Sequence, residues 1–207
     1  MLSFKKGDTI VEVLIAVTIF SMVAVAAIAL MNRGTATAQQ ALEITSVRSQ
    51  IDGQAEALRF LHGSYVANYS PGASYTAGSP AAKYNTILAN STTSEASDFT
   101  NLTSCPTAAT ISKWKFVINP LNSNVVVSSV TPKEATTHAK IGYTSTPAGL
   151  VFASSEGLWI EPVRSPSSDS RTGGVGFIDF HIRACWMPPM GSVPITTGTI
   201  VRLYDPR

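Results

Sequence analysis

The hydrophobic positions of this chain fall into three successive patterns, and the first is an unbroken apolar run. From Val13 to Met31 there are 19 residues without a charge, and Thr18 and Ser21 are the only hydroxyl-bearing ones among them. As a helix this run is about 28 Å long, close to the thickness of the hydrocarbon core of a bilayer. The run therefore predicts a membrane-spanning helix over residues 13–31.

The second pattern is a helical stripe that follows the apolar run. Apolar residues recur three or four positions apart, the spacing of one helix face. They are Ile44, Val47, Ile51, Ala55, Leu58 and Leu61. No linker rich in proline and glycine separates this stripe from the apolar run. We therefore expect one long helix over residues 8–62, with Gly34 as the place where it would bend.

The third pattern is strand-like alternation, and it begins after a segment without periodicity. Residues 63–110 are rich in Ser, Thr, Ala, Asn and Gly, which indicates a loop region, with a short element near Tyr84–Leu88. Further on, short alternating runs lie between turn residues and predict antiparallel strands. These runs are 113–118, 125–130, 149–153, 158–163 (joined to the previous one through 154–157), 178–186 and 199–204.

Together the three patterns predict an α+β fold. A long N-terminal helix would pack against an antiparallel sheet of four to seven strands, with residues 63–207 forming a β-rich head.

Charge then orients the chain. Lys5 and Lys6 precede the apolar run, and the positive-inside rule leaves them in the cytoplasm, so the head is expected outside. The net charge of +2 comes from these two lysines, and thirteen residues of each sign remain beyond them. A neutral head offers no electrostatic footprint for nucleic acid, and we expect no direct nucleic-acid binding.

An ordinary secretory signal peptide is one alternative interpretation of the first thirty residues. The small-residue sites 24–26 and 27–29 would suit its cleavage. The apolar run continues beyond them to Met31, however, and Glu12 stands at its head. A plain uncleaved anchor is a second alternative.

The start of the chain resembles the leader of type IV pilins and pseudopilins. From Lys5 to Ala16 it reads Lys-Lys-Gly-Asp-Thr-Ile-Val-Glu-Val-Leu-Ile-Ala. The resemblance implies that residues 1–7 are a leader, which a prepilin peptidase removes between Gly7 and Asp8. The same enzyme would methylate the new amine of Asp8, which stands where the family usually has phenylalanine. Glu12 is then the fifth mature residue, which in the family pairs with the amine of a neighbouring subunit.

The resemblance also implies a function. The chain would be a structural subunit of a type IV pilus-like filament: a major pilin, a minor pilin or a pseudopilin. Its partners would be the prepilin peptidase, other pilin subunits, the assembly platform and, before assembly, membrane lipid. It would lie in the cytoplasmic membrane first and in a surface filament afterwards. The competing hypothesis is a membrane-anchored extracellular adhesive or binding protein that does not polymerise.

The remaining residues bear on covalent and catalytic chemistry. Cys105 and Cys185, the only cysteines, are most simply a disulfide in an exported head, with two buried thiols as the alternative. The histidines have no metal-site spacing, and we expect no metal or cofactor. Asp179 and His181 share a strand face, so a surface hydrolase is a third class to consider. Without a nucleophile-elbow motif we expect no enzyme.

Overall fold

The computed structural model describes residues 8–72, 74–91, 96, 104–106, 114–126, 135, 137–165, 176–188, 191 and 193–206. The chain divides into two units, and the boundary lies between Glu43 and Ile44. The elements in chain order are α1 (Asp8–Ala67), α2 (Pro80–Asn90), β1 (Val117–Asn119), β2 (Asn124–Val126), β3 (Lys140–Thr146), β4 (Gly149–Glu156), β5 (Leu158–Arg164), β6 (Phe177–Trp186) and β7 (Ile195–Tyr204). A long N-terminal helix followed by small antiparallel sheets is an α+β fold, as predicted.

Helix α1 is longer than the predicted 8–62 and is helical through Gly34. Its additional residues continue to Ala67. Tyr65 explains the extension, because its buried ring lies 5.2 Å from the ring of Tyr84 and 5.3 Å from that of Tyr75. This aromatic packing adds one more turn to the buried face of α1.

Within the second unit, the stripe on α1 forms one wall of the hydrophobic core. Val47, Leu58 and Leu61 are fully buried, and Ile44 packs against the same cluster while partly exposed. The inward side chains of β6 belong to the same core cluster. Burial of each such side chain stabilises the fold by about 1.5–3 kcal/mol, so this face of α1 belongs to the head.

Helix α2 lies inside residues 63–110, where the sequence predicted a loop with only a short element at Tyr84–Leu88. Ser79 caps it by accepting a hydrogen bond from the backbone N–H of Ala82 (3.2 Å), and Pro80 occupies the first turn. Ser-Pro is a helix-start signal that the composition of the segment concealed. The helix buries Tyr84 and Ile87 in the core.

Within the described residues the strands form three antiparallel sheets, whereas the sequence predicted a single sheet. Their strand orders are β1-β2, β3-β4 and β5-β6-β7. Strand β6 is central in the largest sheet, and its alternation is as predicted. Its inward residues are buried: Ile178, Phe180, Ile182, Ala184 and Trp186.

The predicted strands 149–153 and 158–163 are present, but the first extends to Glu156 and the two do not pair with each other. Strand β4 pairs with β3, which sequence reasoning missed, and β5 pairs with β6. Between β4 and β5 stands Gly157, whose φ of 59° is left-handed and whose carbonyl accepts a hydrogen bond from Cys185 N–H (2.8 Å). A Cβ there would lie 2.2 Å from the Cys185 carbonyl oxygen, so glycine is required.

Strand β1 is buried on both faces, which differs from the predicted alternation. Phe116 and Ile118 enter the main core, while Val117 packs with Trp159 and Cys185 in a second cluster. The alternation in the sequence predicts burial of the face with Phe116 and Ile118 but not of the face with Val117. Of the predicted strand 113–118, residues 114 and 115 are irregular and Phe116 forms only an isolated bridge with Ile160. Residues 113 and 127–130 of the predicted strands 113–118 and 125–130 lie outside the described residues.

Candidate functional site

The N-terminal part of α1 presents an apolar surface. Its large hydrophobic side chains from Ile10 to Met31 are all more than half exposed. Within the described residues this is the single helix that is long and apolar enough to cross a membrane. Large exposed apolar surfaces of this kind mark sites of contact with a membrane or with other proteins.

The two hydroxyl groups within this segment are satisfied by the helix itself. Thr18 Oγ1 donates to the carbonyl of Ile15 at 2.8 Å, and Ser21 Oγ donates to the carbonyl of Val17 at 2.7 Å. A hydroxyl already bonded in this way costs little to transfer into hydrocarbon. The segment therefore behaves as a continuous apolar cylinder.

Glu12 is the exception on this cylinder. Its side chain is exposed, and nothing in the described part of the chain bonds to it. It lies one turn after Asp8, the first residue of α1, where the positive end of the helix dipole favours a carboxylate. Gly7, the other residue of the predicted cleavage site, lies outside the described residues, and the side chain of Asp8 is not described.

The head carries a covalent link where the sequence predicted one. Cys105 and Cys185 form a disulfide with a Cα–Cα distance of 5.6 Å. Cys185 is the penultimate residue of β6 and packs in the second cluster, against Trp159 and Val117. The disulfide thereby fastens the described segment 104–106 to the largest sheet.

A buried carboxylate lies on the same side of this sheet. Glu161 on β5 is 1% exposed and accepts a hydrogen bond from the indole N–H of Trp159 at 2.7 Å. Burial lowers the pKa of Lys115, and the nearby charge of Glu161 opposes that change. Sequence reasoning placed Glu161 in a strand without a role. Its position between Ile160 and Pro162 gives no sequence signal for burial.

Asp179 and His181, the residues considered for a hydrolase, have separate partners. Arg202 on β7 binds Asp179 with two hydrogen bonds of 2.7 Å. His181 Nδ1 lies 3.4 Å from Nη2 of Arg183. Burial, followed by the charge of Arg183, lowers the pKa of His181. The carboxylate therefore does not orient the imidazole as a catalytic relay would require.

The other histidines stand apart from this face. His62 on α1 contacts the carbonyl of Tyr204 through Nε2 at 2.8 Å, and its ring packs edge-on against Tyr84. His138 is half-buried. Across the described ranges, no three His, Cys, Asp or Glu side chains are grouped as metal ligands.

Gln54 on α1 is a further residue that sequence reasoning missed. It is fully buried, and its amide forms two hydrogen bonds with the backbone of Ile118. The available signal was its position, because Gln54 lies three residues after Ile51 on the apolar face of the helix. A polar side chain there needs a buried partner.

Searches of protein-family models, of curated proteins and of solved structures return no match to the chain.

Proposed function

We propose that the chain is a structural subunit of a type IV pilus-like filament, polymerised through the N-terminal part of α1. One observation carries the proposal: an apolar helical surface, Ile10–Met31, with a single carboxylate at its N-terminal end. The sequence pattern around Gly7 supports it independently. The proposed role is mechanical, with the head presented on the filament surface.

The energetics of Glu12 favour assembly over simple anchoring. A carboxylate within an apolar span costs about 2.5–3.5 kcal/mol near the bilayer centre, and less close to the headgroups. The helix dipole reduces this cost but does not neutralise the charge. The free amine of a neighbouring Asp8, exposed by cleavage after Gly7, would supply the missing cation. A membrane anchor does not require such a carboxylate.

The rest of the apolar surface serves lipid and protein equally well. Because the hydroxyls of Thr18 and Ser21 are bonded within the helix, the segment can leave lipid for a bundle of identical helices without losing a hydrogen bond. Helix association in such a bundle relies on van der Waals packing. The head, held by its disulfide, would remain outside the bundle.

The mature N-terminus separates this proposal from its competitors. We would determine the intact mass and N-terminal sequence of the protein from sheared surface filaments, from membranes and from the medium. A filament subunit begins at Asp8 and carries an added methyl group. A membrane-anchored binding protein that does not polymerise keeps Met1, and an ordinary secreted protein begins after about Ala29.

A pair of glycine variants tests the cleavage directly. Gly7→Val should leave full-length precursor in the membrane and no filaments. Gly34→Val is the matched control, because a Cβ at Gly34 meets nothing within 4 Å. Normal trimming of Gly7→Val at the same bond would contradict the proposal.

A further inference from the structure

The outer edge of β7 carries backbone groups without partners in the described part of the chain. Strand β7 pairs with β6 over all ten residues at constant register, and it ends the strand order β5-β6-β7. Asp205 N–H donates to the Gly176 carbonyl at 2.8 Å and continues this ladder. Because ladder bonds alternate, the odd-numbered residues of β7 face β6, and the even-numbered ones direct their N–H and C=O groups outward.

One end of this edge is already occupied. The outward carbonyl of Tyr204 contacts His62 Nε2 on α1. The backbone groups of Thr196, Gly198, Ile200 and Arg202 remain directed outward. These four positions form the open edge, and they extend over about 20 Å at the rise of an antiparallel strand.

The open edge lacks the features that usually protect an edge strand. Residues 195–204 contain no proline and no lysine, and the constant register excludes a bulge. The single charge, Arg202, is bound by Asp179 and lies 3.9 Å above the ring of Phe177. The guanidinium group therefore lies over the face of the sheet, where it does not block the approach of another strand to the edge.

The geometry points to the open edge as a pairing site for the same strand of a second copy of this chain. The exposed side chains Thr196, Thr199 and Ile200 are uncharged, so a charged partner strand would lose hydration without gaining a counter-charge. Strand β7 of a second copy is uncharged apart from its neutralised arginine, rich in β-branched residues and equal in length. Cross-strand pairs of such residues stabilise an antiparallel sheet.

The pairing would join two three-stranded sheets into one of six strands. Two copies related by a two-fold axis use the same strand, so the pairing closes and recruits no third copy. A single strand pair buries less surface than a standard protein interface. The contact therefore depends on the high local concentration of heads at a membrane or filament surface.

Photo-crosslinking of the full chain in the membranes of producing cells tests this pairing. A photo-reactive phenylalanine derivative replaces Thr196 at the open edge, in the wild-type background and in two variants. Ile200→Lys adds a charge to the edge, and Leu150→Lys adds one to β4, at a side chain of matched exposure (59% against 60%). We expect a dimer cross-linked through β7 in the wild type and in Leu150→Lys. With Ile200→Lys we expect the dimer yield to fall about tenfold, as the loss of about 1.4 kcal/mol implies.

A third variant removes the backbone donor. Ile200→Pro deletes an outward N–H and leaves the ladder with β6 intact, so it should also abolish the dimer. Formation of the Cys105–Cys185 disulfide in each variant shows that the head has folded. The inference is overturned if the wild type gives no dimer, if Ile200→Lys cross-links as well as Leu150→Lys, or if the cross-linked partner is a different protein. None of these outcomes depends on filament formation.

Discussion

The side-chain amide of Gln54 on α1 pairs with the backbone of Ile118 on β1 as a neighbouring strand would. Gln54 Nε2 donates to the Ile118 carbonyl at 2.7 Å, and Gln54 Oε1 accepts from the Ile118 N–H at 2.8 Å. Two residues earlier, Phe116 exchanges both backbone bonds with Ile160 on β5. Gln54 thus satisfies the edge of β1 beyond the point where the bridge to β5 ends.

Replacement of Gln54 by leucine should destabilise the head strongly. The apolar side chain leaves the buried N–H and C=O of Ile118 without partners, at about 1–3 kcal/mol for each group. Gln50→Leu is the matched control one turn earlier, because Gln50 makes a single, longer bond of 3.4 Å to Ile141 N–H. Denaturant unfolding of the full chain in detergent measures both. An equal decrease in the free energy of unfolding for the two variants would contradict a specific contribution of the Gln54–Ile118 hydrogen bonds to stability.

The stability of the head should fall as the pH drops below about 6.5, in part through His181. Its folded-state pKa is lowered by burial and by Arg183, so the unfolded chain binds the proton more readily. Asp179 and Glu161 oppose the shift, and no charged residue of β7 lies opposite, since Ile200 is its cross-strand neighbour. The loss should be less than about 1 kcal/mol, because solvent screens a half-exposed ring.

An NMR titration of the His181 ring measures this pKa directly. Arg183→Gln removes the neighbouring cation and should move the midpoint upward toward the ordinary histidine value of about 6.5. His181→Gln should flatten the dependence of stability on pH in the same interval. A midpoint above 6.5 in the wild-type protein would contradict the assignment.

The disulfide should contribute much of the stability of the head. The link spans a sequence separation of 80 residues, which corresponds to about 4–5 kcal/mol in the chain-entropy model. Cys105→Ala, Cys185→Ala and the double variant should lose similar amounts, because each breaks the same bond. Unreduced peptide mapping of protein from the cell surface checks the pairing. Recovery of both thiols in the free form would contradict it.

Glu12→Leu should separate membrane insertion from assembly. The variant removes the charge from the apolar segment, so insertion as a monomer should equal or exceed that of the wild type. Docking into a filament should fail, because an amine buried without its counter-charge costs several kcal/mol. Membrane levels of the subunit and filament yield after shearing measure the two steps.

Asp8, which bears the new amine, provides the control for this experiment. If the Asp8 carboxylate satisfies its own amine, the defect of Glu12→Leu will be mild, and Asp8→Phe will expose it. Wild-type incorporation of Glu12→Leu in the Asp8→Phe background would exclude charge pairing as the assembly mechanism.

Local patterns predicted the elements that depend on one face or on one strong signal. The spacing from Val47 to Leu61 predicted the buried face of α1, and the alternation from Ile178 to Trp186 predicted the inward face of β6. In each element one face is buried and the other is exposed, and the spacing of the apolar residues is enough to show which face is buried. The same reasoning found only the part of α2 near Tyr84–Leu88, because its cap at Ser79 lies in a segment whose overall composition indicates a loop.

The sequence by itself determined the long helix, its exposed apolar segment with one carboxylate, and the α+β class. Tertiary structure alone decided that β4 turns away from β5 at Gly157 to pair with β3. It also decided that Gln54 completes the edge of β1 and that the outward backbone groups of β7 from Thr196 to Arg202 have no described partner. The physical reason is that periodicity along the chain records whether a residue is buried. Pairing with the backbone joins residues far apart in sequence, such as the Gln54 side chain with Ile118, and it is set only when the strands and the helix pack together.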